Sequence, residues 1–273
     1  MVAFTLGVVK VYRYGIFYLL TFVIGYFFLM RVGKKKIYAK FDRAQKLLTS
    51  GVDDIVLATV IWILLGGRLG EVLIYNWAYY SQHLNEILAV RHGGMSFIGG
   101  IIGVVVAILI IDRLFKLTRK ELFIVFDLLL VIVPLGIILG RFGNFLNQEL
   151  YWIIAPGRLP GFLTHVYPAI DSTIRINTNL LSLLLEWVLM FLIVGSMFRR
   201  QFKTKHIIPG HITITFILLY SVIRFFLDYL RQDSQGEFFG LMTTTQRFMA
   251  FFFFFGIALR RYVLPKHTTP HHP

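Results

Sequence analysis

The chain has 273 residues and no cysteine; 57% of it is hydrophobic and 16% aromatic. Only 15% is charged, against about 25% in soluble domains, and the 28 Lys and Arg outnumber the 14 Asp and Glu for a net charge of +14. The lack of cysteine excludes disulfides, thiolate metal sites and a cysteine nucleophile within the chain. The basic residues fall in short clusters between apolar runs, not on one face of a polar fold, which argues against nucleic acid as a partner.

A bilayer core about 30 Å thick needs roughly 20 mostly apolar residues to cross it as a helix. Seven stretches meet that approximately: 14–31, 54–75, 95–112, 122–140, 179–198, 207–230 and 243–262. Arg31 and Lys34 follow the first, with no small-residue cleavage site nearby, so it reads as a retained span and not as a signal peptide. The expectation is an all-α, polytopic membrane protein with about seven spans in a single domain, 1–273.

Orientation follows from where the cations sit. Lys34, Lys35, Lys36, Lys40, Arg43 and Lys46 fall in one loop, Arg113 to Lys120 in a second, and Arg199 to Lys205 in a third. Arg260, Arg261 and Lys266 close the series on the same side. The positive-inside rule then puts the N-terminus outside and the C-terminus in the cytoplasm. Two outer-face segments are long, about 76–94 and 145–178, and the tail 264–273 reads as disordered.

Several ionisable residues lie within the spans: Arg68, Asp127, Glu186, Arg224, Asp228 and Arg247. Each costs about 2.5–3.5 kcal/mol on insertion scales and is expected to face a protein-lined cavity. Arg68, Arg141, Arg224 and Arg247 all map to the outer half of the bilayer. Four cations at one depth repel unless an anion sits among them, and a phospholipid phosphate suits the forked guanidinium donors. Glu71, Glu149 and Asp228 are further sources of countercharge. On the sixth span Tyr220, Arg224 and Asp228 recur every fourth residue and therefore share one helical face. Gly99 with Gly103, and Gly136 with Gly140, have the spacing of small-residue helix contacts.

Two segments carry more specific information. One runs from His92 through Gly93, Gly94, Met95, Ser96, Phe97 and Ile98 to Gly99 and Gly100. The other runs Gly140-Arg141-Phe142-Gly143-Asn144-Phe145-Leu146-Asn147-Gln148-Glu149-Leu150. They resemble the Gly-Gly-x-Ser-Phe-His-Gly-Gly stretch and the Gly-Arg-x-Gly-Asn-Phe-x-Asn-x-Glu signature of the prolipoprotein diacylglyceryl transferases. Further similarity lies at Tyr14-Gly15, Gly66 to Gly70, Tyr75-Asn76, Asp127, Pro134, Tyr220, Arg224, Arg231 to Asp233 and Gln246. The chain departs from that pattern at Ile98, where the family has histidine, and at Asp228, where it has glutamate. The family's Tyr-Glu pair is replaced by Leu181 and Ser182, while Glu186 persists.

The resemblance implies transfer of a diacylglyceryl group from phosphatidylglycerol to the lipobox cysteine of a prolipoprotein, in the bacterial cytoplasmic (inner) membrane with the site toward the extracytoplasmic side. It implies Arg141 and Arg224 as catalytic residues. Tyr14, Arg68, Gly99, Asn144, Asn147, Glu149, Tyr220, Asp228 and Arg247 would bind substrate. His92 is a candidate base in place of the missing histidine. No metal or cofactor is called for; the partners are phosphatidylglycerol, the signal-peptide and lipobox region, and membrane lipid. The departure at Ile98 leaves a second reading, a non-catalytic relative that binds phospholipid or lipoprotein. A third, a transporter using intramembrane arginines, would favour paired repeats, and the sequence has none that is convincing.

Overall fold

The computed structural model describes residues 2–6, 9–88, 94–146, 154–155, 157, 159–166, 168, 172–229 and 242–264. The expected spans are helices. The first is α1 (Arg13–Gly33), followed by a short amphipathic helix α2 (Asp42–Ser50) and then α3 (Val52–Gly70), which runs into a π-helical turn, Glu71–Tyr75. After the short α4 (Trp77–Tyr80) come α5 (Phe97–Phe115) and the long α6 (Arg119–Leu146), with Pro134 inside it. One turn of helix, α7 (Thr178–Leu181), leads through a second π-helical segment, Ser182–Val188, into α8 (Leu189–Thr204). The helices α9 (His211–Asp228) and α10 (Thr244–Val263) come next. Two small antiparallel hairpins complete the description: β1 (Val2–Leu6) with β2 (Val9–Tyr12), and β3 (Thr164–Val166) with β4 (Ile174–Ile176).

Among the described residues, six helical stretches are long and apolar enough to cross a membrane. The seventh expected span, 243–262, does fold as helix α10, but Arg247 near its start and Arg260 and Arg261 in its last turn shorten its apolar stretch. The chain divides into two compact units, 26–125 and 1–25 with 126–273.

In unit 26–125 a seam of glycines joins α3 to α5. A Cβ added at Gly70 would stand 2.7 Å from Gly99 Cα, and one at Gly66 would stand 2.9 Å from Gly103 Cα. At Gly103 it would collide with the Trp62 carbonyl. Backbones this close gain dispersion contacts that lipid tails cannot match, since the bilayer supplies no hydrophobic drive between helices. Leu57, Ile61 and Leu64 form an exposed stripe on α3, as a lipid-facing side requires. The connection from α1 to α3 is also ordered: Glu121 accepts from Arg43 N (2.8 Å) and Ala44 N (3.2 Å), which satisfies donors at the start of α2. Ala44, Leu47 and Leu48 are fully buried on the helix it caps.

In the other unit, α1 and α6 also meet through glycine. Cβ atoms at Gly136 and Gly140 would lie 2.5 Å from Thr21 Cγ2 and 2.7 Å from the Tyr18 hydroxyl. Asp127, buried on α6, accepts from Gly210 N (2.8 Å), Thr213 N (2.7 Å) and Thr213 Oγ1 (2.6 Å). It thereby caps α9, whose own N-cap residue is Gly210, a residue with no side chain to do so. Asp127 is therefore a tie between helices.

Two stability outcomes are expected. Gly103→Val forces α3 and α5 apart and costs about 1–3 kcal/mol or more, whereas Gly195→Ala, with nothing within 4 Å of the new carbon, costs nothing; thermal unfolding in detergent reads the difference. Asp127→Ala strands three donors at about 1–3 kcal/mol each, and its unfolding midpoint is expected below that of Asp127→Asn, which keeps one acceptor oxygen.

Candidate functional site

Three elements of unit 1–25 with 126–273 converge on one carboxylate. Glu186 sits in the π-helical segment and is fully buried. Its Oε1 accepts from Arg224 Nη1 of α9 at 3.0 Å, and its Oε2 lies 3.9 Å from Arg141 Nη2 near the end of α6. The two arginines expected to act together are thus brought to a single acid. Arg224 is 5% exposed and is held from a second side by Asp228 Oδ1, 3.6 Å from its Nη2. The Arg141 side chain keeps 14% of its surface exposed.

Local structure explains this placement. A π-helical turn widens the helix to i→i+5 hydrogen bonding, shifts the register of the residues after it and occurs frequently at functional sites. Here it lies between α7 and α8 and turns Glu186 and Trp187 into the protein. Trp187 packs against Tyr220 with ring centroids 5.2 Å apart, and Phe216 stacks on the same Tyr220 at 5.9 Å. Tyr220, Arg224 and Asp228 are all buried and share one face of α9, as their spacing predicts. Beyond Asp228, Oδ2 accepts from Thr243 Oγ1, and Thr243 caps α10 in a capping box with Gln246. Gln246 Nε2 returns a hydrogen bond of 3.3 Å to Phe225 O. The arginine's acidic partners are therefore fixed by packing on one side and by a helix cap on the other.

At 3.9 Å a pair of unit charges is worth about 4 kcal/mol at an effective dielectric of about 20. Burying either cation unpaired costs several kcal/mol, so Glu186 and Asp228 make the buried Arg224 tolerable. The partly exposed Arg141 stands at more than hydrogen-bonding distance from Glu186, in an ion pair without a direct hydrogen bond.

The remaining expected residues divide. Arg68, 2% exposed, donates from Nε to Ile87 O (2.7 Å), from Nη2 to Glu86 O (2.7 Å) and from Nη1 to Gly94 O (3.2 Å). Its expected role at a headgroup has to be set beside this backbone binding. Gly99 is part of the glycine seam with α3. Arg247 is exposed at the start of α10, where Nη2 donates to Thr244 Oγ1 at 2.9 Å. His92, Asn147 and Glu149, and the side chains of Tyr14 and Asn144, lie outside the described residues. Ile98 is buried in the first turn of α5, 3% exposed. Sequence reasoning left Glu186 out of the site, although a glutamate inside the apolar run 179–198 was the available signal.

Residues 1–262 match the sequence profile of the family described as prolipoprotein diacylglyceryl transferase. A phosphatidylglycerol–prolipoprotein diacylglyceryl transferase of Wolbachia pipientis subsp. Culex pipiens (strain wPip) is 34% identical over 234 residues, 85% of this chain and 82% of that protein. Proteins of the same name from Aromatoleum aromaticum and Geobacter sulfurreducens are 35% and 33% identical, over 87% and 86% of this chain and 84% and 83% of their own lengths. With six membrane-length apolar helices and a profile match that runs through nearly all of its length, this chain belongs to the prolipoprotein diacylglyceryl transferase family.

Proposed function

We propose that this chain moves the diacylglyceryl group of phosphatidylglycerol onto the lipobox cysteine thiol of a prolipoprotein. The reaction takes place in the bacterial inner membrane, at a site near the extracytoplasmic face of a seven-span bundle whose N-terminus is outside and C-terminus inside. The observation that carries the reading is the buried carboxylate of Glu186, shared by Arg141 and Arg224 in a chain of this family.

In that reaction a cysteine thiolate attacks the glycerol carbon that bears the phosphate ester. The new bond is C–S, the broken bond is C–O, and glycerol phosphate leaves with the electron pair. Negative charge on the phosphate grows as the bond breaks, so guanidinium groups already oriented toward it stabilise the transition state more than the ground state. Arg141, partly exposed and 3.9 Å from Glu186, is the group that meets the phosphate. Arg224, paired with Glu186 and Asp228, holds Glu186 in place beside Arg141 and contacts the phosphate when Glu186 shares it. Tyr220, Asp228 and Arg247 complete the binding surface, together with Tyr14, Asn144, Asn147 and Glu149. The thiol, with an ordinary pKa of about 8.5, loses its proton more readily beside such cations; His92 is the candidate acceptor.

The test uses purified protein, phosphatidylglycerol vesicles and a lipobox peptide, with thioether product and released glycerol phosphate both measured. Arg141→Ala and Arg224→Ala are each expected to cut turnover by about 10²–10³-fold or more while the protein still inserts. Near-normal rates in either would remove the arginine pair from the chemistry. No product from the wild type, with phosphatidylglycerol still bound, would favour the non-catalytic reading instead. Glu186→Ala is expected to lose activity and also about 3–5 kcal/mol of stability, because it removes the nearer of the two acids that match the buried Arg224.

Orientation has its own check. Single cysteines placed at Lys35 and Arg200 are expected to resist a membrane-impermeant thiol reagent in intact cells and to react once the cells are opened. Labelling of both in intact cells would reverse the assignment.

A further inference from the structure

Arg68 was expected among the headgroup ligands, but its surroundings point elsewhere. Three nitrogens of its guanidinium are spent on backbone carbonyls, and those carbonyls come from two separate stretches of chain, 86–87 and 94. The Tyr80 ring lies 5.0 Å from Arg68 Cζ and covers the guanidinium face. The guanidinium spreads its donors over three nitrogens of a rigid plane, whereas a lysine gathers its three donors at one point and cannot reach acceptors set around the fork.

The acceptor side is built for close approach. Gly94 has φ +76°, and a Cβ there would stand 3.0 Å from Glu71 Cγ and 3.2 Å from Arg68 Nη1. The neighbouring carbonyl, that of Gly67, accepts from Ser96 N at 2.8 Å. Ser96 then caps α5 by accepting from Gly99 N at 3.0 Å. Gly67 and Arg68 at the end of α3 thus hold the incoming chain at 86–87, 94 and 96, immediately before the glycine seam begins.

We infer that Arg68 is a positioning residue: it clamps Glu86, Ile87 and Gly94, and with them the start of α5, onto the end of α3, and it does not bind the lipid phosphate. Its positive charge is incidental to chemistry, and its fork geometry is what matters. The inference rests on the transferase reading only for its kinetic arm.

The experiment compares Arg68→Ala, Arg68→Lys and Gly94→Ala with wild type in phosphatidylglycerol vesicles. Both Arg68 variants are expected to lose kcat together, by about 10-fold to 100-fold as a small misplacement does, with KM for phosphatidylglycerol unchanged. Gly94→Ala, which keeps the arginine and crowds its acceptor, is expected to show the same split to a lesser degree. A raised KM in Arg68→Ala that Arg68→Lys restores would overturn the clamp and make Arg68 a phosphate ligand. A second arm needs no activity: trypsin cleavage at Arg91 in oriented vesicles is expected to quicken in both Arg68 variants, and unchanged cleavage would overturn the clamp. Absence of transfer by the wild type would defeat the proposed function while leaving this second arm to decide the clamp.

Discussion

A buried carboxylate between two guanidinium groups sets the terms for the rest of this protein. Desolvating an ion costs several kcal/mol even after relaxation, and within a bilayer no water is at hand to reduce that cost. Glu186 is fully buried, so its charge has to be matched by neighbours held within a few ångströms, and Arg224 and Arg141 do this from two other helices. The match is uneven. Arg224 has carboxylates on two sides, at 3.0 and 3.6 Å, and Arg141 lies 3.9 Å from Glu186.

Each of the two compact units is also held by contacts of its own. Helix ends are tied by specific polar contacts: Asp228 to Thr243 between α9 and α10, and Asp127 to the first turn of α9. Between α3 and α5, and between α1 and α6, glycines bring backbones or compact side chains into direct contact. Such interfaces have few alternative packings, because there is little side-chain volume to rearrange.

Much of this was legible in the sequence, and the exceptions share a cause. Span positions could be read because bilayer thickness fixes helix length: α5 and α9 begin and end within four residues of expectation, and α6 runs six residues past its expected end. Gly99 with Gly103, and Gly136 with Gly140, were legible because close helix contact leaves a fixed spacing of small residues. Arg141 and Arg224 stood out as charges where charge is costly. Glu186 was visible for the same reason, but its partners lie far off in the chain and a π-helical turn sets its direction, which no simple period foretells. The partners of Arg68 were hidden more completely, since backbone carbonyls have no residue identity. The seventh span was ambiguous because arginines at both ends of α10 take up the length that apolar residues would need.

Asp127 has a consequence for how the protein is made. Its hydrogen-bond donors come from residues 83 and 86 positions later in the chain. The ribosome therefore delivers α6 to the bilayer with an acid that has no mate, and later delivers α9 with a first turn that has no cap. Each is a defect alone, and each is the remedy for the other. Their meeting is a late and strongly downhill step of biogenesis, and a nascent chain halted before Gly210 would display an uncapped carboxylate for membrane quality control to find.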